Sequence, residues 1–248
     1  PAIVLPHNIE ENVSLASFTT LGVGGVARYL VRALSIEILT RSLQFAHAHN
    51  LPFLVLGKGS NSLIRDGGFD GLVILNKIDF CEWGDESVYV GGGYSFARLG
   101  TQASHRGLTG LEFASGIPGS VGGAIYMNAG ANGVETRDSL ESIEFVTCEG
   151  EHRHLDPTEI DFSYRYSGFQ ELSGVIVAAK FRLTSSDVAK KRQREWLDYR
   201  LETQPYKAKT AGCFFRNPDE MSAGALIEEC GLKGFSIGGA QVSLKHAN

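Results

Sequence analysis

The segment ASGIPGSVGGAIYMNAGA, residues 114–131, is the most constrained part of the chain. Five of its 18 residues are glycine and four are alanine, so side chains stay small over a long stretch. It also carries Ile117, Val121 and Ile125, which a solvated, flexible loop would rarely contain. We therefore expect its backbone to lie against something flat or extended, such as a large cofactor.

A second glycine-rich segment, Gly57-Lys-Gly-Ser-Asn-Ser62, lies upstream and directly follows the apolar run Phe53–Leu56. Two glycines let a backbone approach a ligand, and consecutive N–H groups can form a nest that binds an anion. The segment indicates a phosphate or diphosphate site, with an ordinary polar turn as the alternative. It is not a Walker A loop, because G-x-x-x-x-G-K-[ST] occurs nowhere in the chain.

Glycine is concentrated around these two segments. The chain has 248 residues and 30 glycines, of which 18 lie between Gly57 and Gly133. The length favours about two domains, which bury enough surface to fold without disulfides or metals. An apolar content of 43% excludes a disordered chain. No apolar run has the length of a membrane span, so we expect no membrane association.

The net charge of −5 argues against a nucleic-acid-binding protein. Residues 180–210, however, contain nine Lys or Arg against four acids. This basic strip is either a solvated helix face or a surface toward an anionic ligand.

The four cysteines are spaced by 67, 65 and 17 residues, so there is no Cys-x-x-Cys motif. We expect the protein to lie in the reducing cytoplasm, where cysteines stay free thiols.

Periodicity, caps and turn residues predict the secondary structure. We expect a glycine-rich loop over 110–133 and a domain boundary near 184–187. Strands are predicted at 53–56, 72–75, 87–90, 142–148, 152–155 and 175–183, and helices at 35–50, 95–106, 186–202 and 222–230.

Other motifs are weaker. Residues 22–27 match the dinucleotide pattern G-x-G-x-x-A, but no buried strand precedes them, so a turn is favoured. His152 and His154 share one face of a predicted strand, but no third ligand is evident and we expect no metal. Arg165 lies between two tyrosines, either as a functional cation or as a structural arginine at a domain interface. Cys213 is either a reactive thiol or a small buried apolar residue.

From Thr19 to the last residue, the motifs together resemble the UDP-N-acetylenolpyruvoylglucosamine reductase family, in its subgroup without an extra tyrosine-bearing loop. Many motifs in order make the resemblance specific. They are 19–25 (TTLGVGG), 56–61 (LGKGSN), 116–123 (GIPGSVGG), 127–130 (MNAG), 164–167 (YRYS), 211–218 (AGCFFRNP), 231–234 (GLKG) and 245–248 (KHAN).

The resemblance implies an α+β fold with FAD and NADPH as cofactors. Two subdomains of the vanillyl-alcohol-oxidase type, about 1–76 and 77–184, would hold FAD. A smaller α/β substrate-binding domain would occupy 185–248 and be incomplete at its C-terminus. The implied FAD contacts are Gly57, Lys58, Gly59, Ser60, Asn61, Ser62, Ser115, Gly116, Ile117, Pro118, Gly119, Ser120, Gly122, Gly123, Ala124, Asn128 and Gly130.

The implied reaction belongs to peptidoglycan precursor synthesis: hydride moves from NADPH to flavin N5 and on to the enolpyruvyl ether of a UDP-sugar. By motif position, Arg165 would stabilise the charge that develops on the substrate carboxylate, and Cys213 would protonate the adjacent carbon. The family usually has Ser where this chain has Cys213. Substrate contacts would come from Tyr164, Arg200, Asn217, Lys233 and His246.

The resemblance also implies a third catalytic residue, a Glu beyond the last segment, so we expect weak turnover from residues 1–248 alone. Two alternatives remain open. One is another FAD-dependent oxidoreductase of the same fold that acts on an alcohol or sugar. The other is a non-catalytic FAD-binding paralogue. We expect a cytoplasmic monomer whose partners are small molecules, and neither nucleic acid nor membrane.

Overall fold

The computed structural model describes residues 8–205 and 208–248. Within these ranges, the helices are α1 (Ile36–Ala48), α2 (Phe96–His105), α3 (Val121–Tyr126), α4 (Ala189–Thr203) and α5 (Ala223–Glu229). The strands are β1 (Ile9–Ser14), β2 (Val26–Ala33), β3 (Phe53–Leu56), β4 (Phe69–Asn76), β5 (Cys81–Trp83), β6 (Ser87–Gly91), β7 (Leu108–Thr109), β8 (Gly130–Ala131), β9 (Val134–Glu135), β10 (Leu140–Thr147), β11 (His152–Leu155), β12 (Phe162–Ser163), β13 (Tyr166–Ser167), β14 (Gly174–Arg182), β15 (Thr184–Ser185), β16 (Ser236–Ile237) and β17 (Ala240–Gln241).

The first sheet has the order β1-β2-β4-β3, with β2 and β3 both parallel to β4. Parallel strands of one sheet need a crossover connection, and α1 provides it between β2 and β3, which lie on either side of β4. Ser35 caps this helix by accepting a hydrogen bond from the Ile38 N–H (3.3 Å). Leu39, Leu43 and Ala46 follow helical spacing and are fully buried. The predicted helix at 35–50 is confirmed.

The second sheet is antiparallel, with the order β11-β10-β14-β6-β5. Helices α2 and α3 cover one of its faces, where Phe96, Val121 and Ile125 are fully buried against Ile143 and Phe181. The opposite face contributes to a core that it shares with α1 and the first sheet. The two sheets therefore pack as one body, and β3 ends close to α2 and α3.

The prediction of a glycine-rich loop over 110–133 is wrong, because this stretch contains α3 and a short 3₁₀ turn at Glu112–Gly116. Ser120 caps α3 by accepting from the Gly123 N–H (3.4 Å). Val121, Ala124 and Ile125 form its buried face at helical spacing. The two glycines of this six-residue helix have low helix propensity and hide its periodicity.

The pattern at residues 22–27 forms a turn before β2. Gly22 and Gly24 have φ values of +70° and +146°, which glycine adopts without strain. No helix follows the pattern, since β2 begins at Val26. The dinucleotide-fold interpretation is thereby excluded, as the context had indicated.

Most of the basic strip is a solvated surface rather than a ligand-facing one. On α4, Lys191 and Arg194 are exposed and form ion pairs with acids one turn further along the same helix. Arg192 turns inward, where its Nη1 contacts the buried carboxylate of Glu112 (3.3 Å). Arg200, near the end of the helix, faces the large cavity described below. Lys207 of the strip lies outside the described residues.

Glu112 links α4 to the second subdomain through two hydrogen bonds and an ion pair. Its side chain is 3% exposed. One carboxylate oxygen accepts from the Thr109 hydroxyl (2.5 Å), and the other accepts from the Gly110 N–H (2.8 Å). The same carboxylate pairs with Arg192, so one buried acid connects three elements.

We expect Glu112→Ala to lower the free energy of unfolding by about 2–3 kcal/mol, because it leaves donors without an acceptor in a buried site. Urea denaturation monitored by circular dichroism measures the change. Glu195→Ala is the matched control, since Glu195 makes an exposed ion pair with Lys191 on the same helix. Such pairs contribute only about 0.3–0.5 kcal/mol. Equal effects of the two variants would contradict the buried role of Glu112.

No helix in the described ranges is long and apolar enough to span a bilayer. All four cysteines are free thiols, with Cys213 and Cys230 exposed and Cys81 and Cys148 partly buried. The interpretation of Cys213 as a buried apolar residue is therefore wrong.

Candidate active site

Three backbone segments converge where the two sheets meet. A Cβ atom at Gly57, just after β3, would overlap the Ser120 hydroxyl at the start of α3, so a larger residue would have to displace the Ser120 side chain. Ser120 also pairs with Ser95, the residue that caps α2. The Nζ of Lys58 donates to the Ser95 hydroxyl (2.6 Å). The segment predicted to bind a phosphate therefore lies beside the small-residue segment 114–131.

These segments line a cavity of about 1800 Å³ that extends between the subdomains and the C-terminal region. Small-molecule sites usually measure about 300–1000 Å³, so this one has room for a large cofactor and a second ligand. The predicted site residues on its wall are Gly57, Lys58, Gly59, Ser60, Asn61, Ser62, Ile117, Pro118, Gly119, Ser120, Gly122, Gly123, Ala124, Gly130, Tyr164, Arg165, Arg200, Cys213, Asn217 and His246. Ser115, Gly116, Asn128 and Lys233 lie behind or outside it.

The polar groups along this wall suit an anionic cofactor. Burial, followed by the positive charge of Lys77, lowers the pKa of the Lys58 ammonium, and a nearby diphosphate would offset both effects. Behind this wall, the Ser115 hydroxyl is buried and, within the described chain, has no hydrogen-bond partner. Such groups normally have a partner, which a bound ligand or water can supply. Small residues and a cation along the wall fit the diphosphate and ring system of FAD.

Gly116 connects this wall to α4. A Cβ atom at Gly116 would lie 2.7 Å from the Arg200 Cδ, so the glycine makes room for the arginine side chain. Arg200 reaches the cavity over this glycine. In the sequence, Gly116 indicates that something packs closely against the backbone there. Nothing local identifies that group as Arg200, which lies 84 positions away.

Arg165 occupies the turn of the hairpin formed by β12 and β13, next to Tyr164. Its φ is +58°, a left-handed conformation that costs a non-glycine residue about 1–2 kcal/mol. The guanidinium Nη2 donates to the Gly130 carbonyl (2.9 Å), and the group lies over the Tyr164 ring (4.8 Å to the centroid). Strain of this kind collects at functional sites, where surrounding contacts hold it in place.

Cys213 lies on a C-terminal segment that closes over the same cavity. The Arg216 Nη2 donates to the Arg165 carbonyl (3.3 Å), which links this segment to the hairpin. Asn248 accepts from the Phe215 N–H (2.8 Å) and donates to its carbonyl (2.9 Å). The Thr20 hydroxyl donates to the Thr210 carbonyl at the other end of the segment. Cys213 and Arg165 consequently line one cavity, although 48 positions separate them.

Four predicted site residues have structural partners. Asn128 is fully buried and donates to Glu135 (2.8 Å) and to the Ser163 carbonyl (2.9 Å), so it holds the hairpin against α3. Asn217 accepts from the Ala223 N–H (3.1 Å) at the start of α5. His246 contacts the Asn248 carbonyl (2.7 Å). Lys233 is ion-paired with Glu228 (2.8 Å) outside the cavity.

Comparisons with known proteins agree with this geometry. The family described as "FAD binding domain" matches residues 27–156, and "UDP-N-acetylenolpyruvoylglucosamine reductase, C-terminal domain" matches residues 204–248. The UDP-N-acetylenolpyruvoylglucosamine reductase of Protochlamydia amoebophila is 51% identical over 245 residues, which cover 98% of this chain and 82% of that protein. The chain belongs to the UDP-N-acetylenolpyruvoylglucosamine reductase family. The predicted family is therefore confirmed.

Solved structures show the same relationship. The crystal structure of the Thermus caldophilus member of this reductase family superposes with a TM-score of 0.82 at 39% identity, covering 96% of this chain and 86% of that one. An alkyldihydroxyacetonephosphate synthase matches with a TM-score of 0.52 at 16% identity, over 73% of this chain and 38% of its own. This second likeness shows the fold alone. The predicted α+β, two-subdomain FAD-binding fold is confirmed, and the chain is an FAD-dependent oxidoreductase of this family.

Sequence reasoning missed several residues on the cavity wall. Arg137 contacts Glu135 (3.2 Å), and both line the cavity without a motif of their own. Arg216 and Asn248 belong to quoted motifs, but nothing local indicated that they would hold Cys213 in place. The division between a cofactor domain and a substrate domain at residues 184 and 185 stays a prediction.

Proposed function

We propose that this chain reduces the enolpyruvyl group of UDP-N-acetylglucosamine enolpyruvate to UDP-N-acetylmuramate, with NADPH as the electron source, in peptidoglycan precursor synthesis. One observation carries the proposal: the glycine-rich cofactor wall, Arg165 and Cys213 all line a single cavity. Reduction of an enol ether next to a carboxylate requires a cation and an acid beside the flavin, and this shared cavity supports assigning those roles to Arg165 and Cys213.

The cofactor would lie along the wall formed by residues 57–62 and 115–124. Lys58 and the N–H groups of the glycine segments would neutralise and bind its diphosphate. When bound, FAD supplies the hydride that NADPH gives up and that the terminal enolpyruvyl carbon receives.

Arg165 would bind the substrate carboxylate. Hydride addition to the terminal carbon leaves an electron pair that delocalises onto this carboxylate, so negative charge grows beside the guanidinium. A cation fixed before the reaction stabilises that charge without reorganising in the transition state. The Gly130 carbonyl and the Tyr164 ring hold the guanidinium in place.

Cys213 would deliver the proton that completes the reduction, to the carbon next to the carboxylate. A thiol, with an ordinary pKa of about 8.5, is a much stronger acid than the serine hydroxyl common in this family. Its exposed position on the cavity wall lets it reach a bound substrate and regain a proton from water. The thiolate that remains after each turnover is reprotonated by solvent.

The UDP-sugar would occupy the part of the cavity that the C-terminal segment closes. Arg200 can meet the diphosphate, and Tyr164, which is 41% exposed, offers an apolar face. Asn217 and His246 line the same region. Lys233 is left out of this assignment because Glu228 holds it outside the cavity. The four free thiols suit a reducing compartment, so we place the reaction in the cytoplasm.

The flavin spectrum tests this function directly. We expect the purified protein to be yellow, to bleach when NADPH is added without oxygen, and to regain its absorbance when the enolpyruvyl UDP-sugar is added. Rapid-mixing absorbance measures each half-reaction separately. Bleaching by a simple alcohol or sugar would favour another flavin oxidoreductase of this fold. A flavin that NADPH does not reduce would indicate a non-catalytic paralogue.

A further inference from the structure

The two histidines of edge strand β11 lie beside the carboxylate of Glu144, which belongs to the neighbouring strand β10 and is not part of their local sequence. In the antiparallel pairing of β10 with β11, Glu144 lies opposite His154 and Val146 lies opposite His152. Strand residues two positions apart point to the same side, so both imidazoles and the carboxylate share one face of the sheet. The neighbouring strand therefore offers a third possible ligand, whose absence was the reason to expect no metal.

We propose that Glu144, His152 and His154 form a binding site for zinc(II). The His152 Nε2 lies 2.9 Å from Glu144 Oε2, and the His154 Nδ1 lies 3.9 Å from Glu144 Oε1. All three ligand atoms lie within 4.8 Å of one another. Bonds of about 2.0–2.1 Å in a tetrahedron place ligand atoms about 3.4 Å apart, between the two distances observed.

The donor set matches the chemistry of zinc. Two imidazole nitrogens and one carboxylate oxygen are ligands that zinc accepts, and three protein ligands leave a fourth position for water. The His152 and His154 rings are stacked, with centroids 5.1 Å apart, so their nitrogens can approach one ion together. The histidine side chains are 39% and 73% exposed, which gives an ion access from solvent.

A neighbouring group already orients the carboxylate. The Tyr89 hydroxyl donates to Glu144 Oε1 (2.7 Å), and the Glu144 side chain is only 13% exposed. Hydrogen bonds of this kind fix the orientation of a metal ligand, and their loss typically weakens metal binding about 10- to 100-fold. The site thus combines one anchored acid with two accessible imidazoles.

The position indicates an ion that takes no part in the flavin reaction. The three residues lie on the sheet face opposite α2 and α3, away from the cavity walls described above. An ion there would tie edge strand β11 to β10. Because a ligand that binds only the folded state stabilises it, zinc at about 100-fold excess over Kd should raise the unfolding temperature by about 5–10 °C.

Isothermal titration of FAD-loaded protein with zinc chloride tests the proposal, with metal analysis after gel filtration. We expect one zinc ion per chain. His152→Ala and His154→Ala should each weaken binding at least about 100-fold, and Tyr89→Phe about 10-fold. His105→Ala is the matched control, because His105 is exposed at the end of α2 and should leave binding unchanged.

The experiment separates this site from a competing one. His47, Cys148 and Glu149 form another group of possible ligands within 4.8 Å of one another, and it includes a thiol. Loss of zinc binding in Cys148→Ala with retention in His154→Ala would overturn the proposal, as would no binding by the parent protein. Glu144→Gln keeps an acceptor for Tyr89, so it should retain the native circular dichroism and FAD content while losing zinc. Zinc binding by a folded Glu144→Gln at parental affinity would also overturn it.

Discussion

A Cys213→Ala variant should accept electrons from NADPH at the parental rate but pass them to the enolpyruvyl substrate about 10²- to 10⁴-fold more slowly. The exposed thiol lines the cavity together with Arg165. Alanine cannot donate a proton, so water must replace a positioned acid. The contact between Arg216 and the Arg165 carbonyl stays intact, and the segment should keep its place. Anaerobic rapid mixing of pre-reduced enzyme with substrate isolates the affected half-reaction.

Two further variants test whether the slower substrate reduction comes from the loss of the Cys213 proton donor. Cys213→Ser restores a hydroxyl donor at the same position and should recover most of the lost rate. Cys230→Ala removes the other exposed thiol, which lies just after α5, and should behave as the parent. Peroxide treatment should inactivate the parent but not Cys213→Ser, since only the thiol is oxidised readily. An unchanged second half-reaction in Cys213→Ala would remove Cys213 from the mechanism.

Arg165→Ala should reduce the rate of the same half-reaction by about 10²- to 10³-fold, because the developing charge on the substrate carboxylate loses its fixed cation. Since Arg165 has a φ of +58°, the residue also stores backbone strain. Arg165→Gly should therefore be as inactive as Arg165→Ala yet about 1 kcal/mol more stable, because glycine adopts this conformation without a Cβ penalty.

Slow substrate reduction by Arg165→Gly, together with a higher free energy of unfolding than that of Arg165→Ala, distinguishes a functional arginine from a structural one. Substrate reduction by rapid mixing and unfolding in urea measure the two properties on the same samples. Arg41→Ala is the control, since Arg41 is an exposed arginine on α1 that pairs with Glu37. If Arg165→Gly reduces substrate at the parental rate, or if it unfolds more easily than Arg165→Ala, the arginine has another role.

Much of the architecture is encoded locally. The caps Ser35, Ser95 and Ser222 each accept a backbone N–H at the start of a helix that the sequence predicts. The strand Phe53–Leu56 is predicted from its apolar run. Such signals act over a few residues, where torsional preference and side-chain spacing dominate.

Helix α3 shows where local reasoning fails. Its six residues include two glycines, so its propensity is poor, and burial of Val121, Ala124 and Ile125 against the second sheet stabilises it instead. Gly122 also suits the packing, because a Cβ atom there would lie only 3.1 Å and 3.2 Å from the carbonyl oxygens of Gly92 and Ile176. The sequence shows that side chains must be small there, but it does not show which neighbours require this.

By itself, the sequence determined the family, the α+β class and the cofactor, because the motifs that indicate them are contiguous. Only the tertiary structure decided which residues share a cavity or a face. It placed Arg200 over Gly116, Cys213 in the cavity with Arg165, and Glu144 beside two histidines on the next strand. The physical reason is that strand register and core packing bring together residues that no local spacing relates.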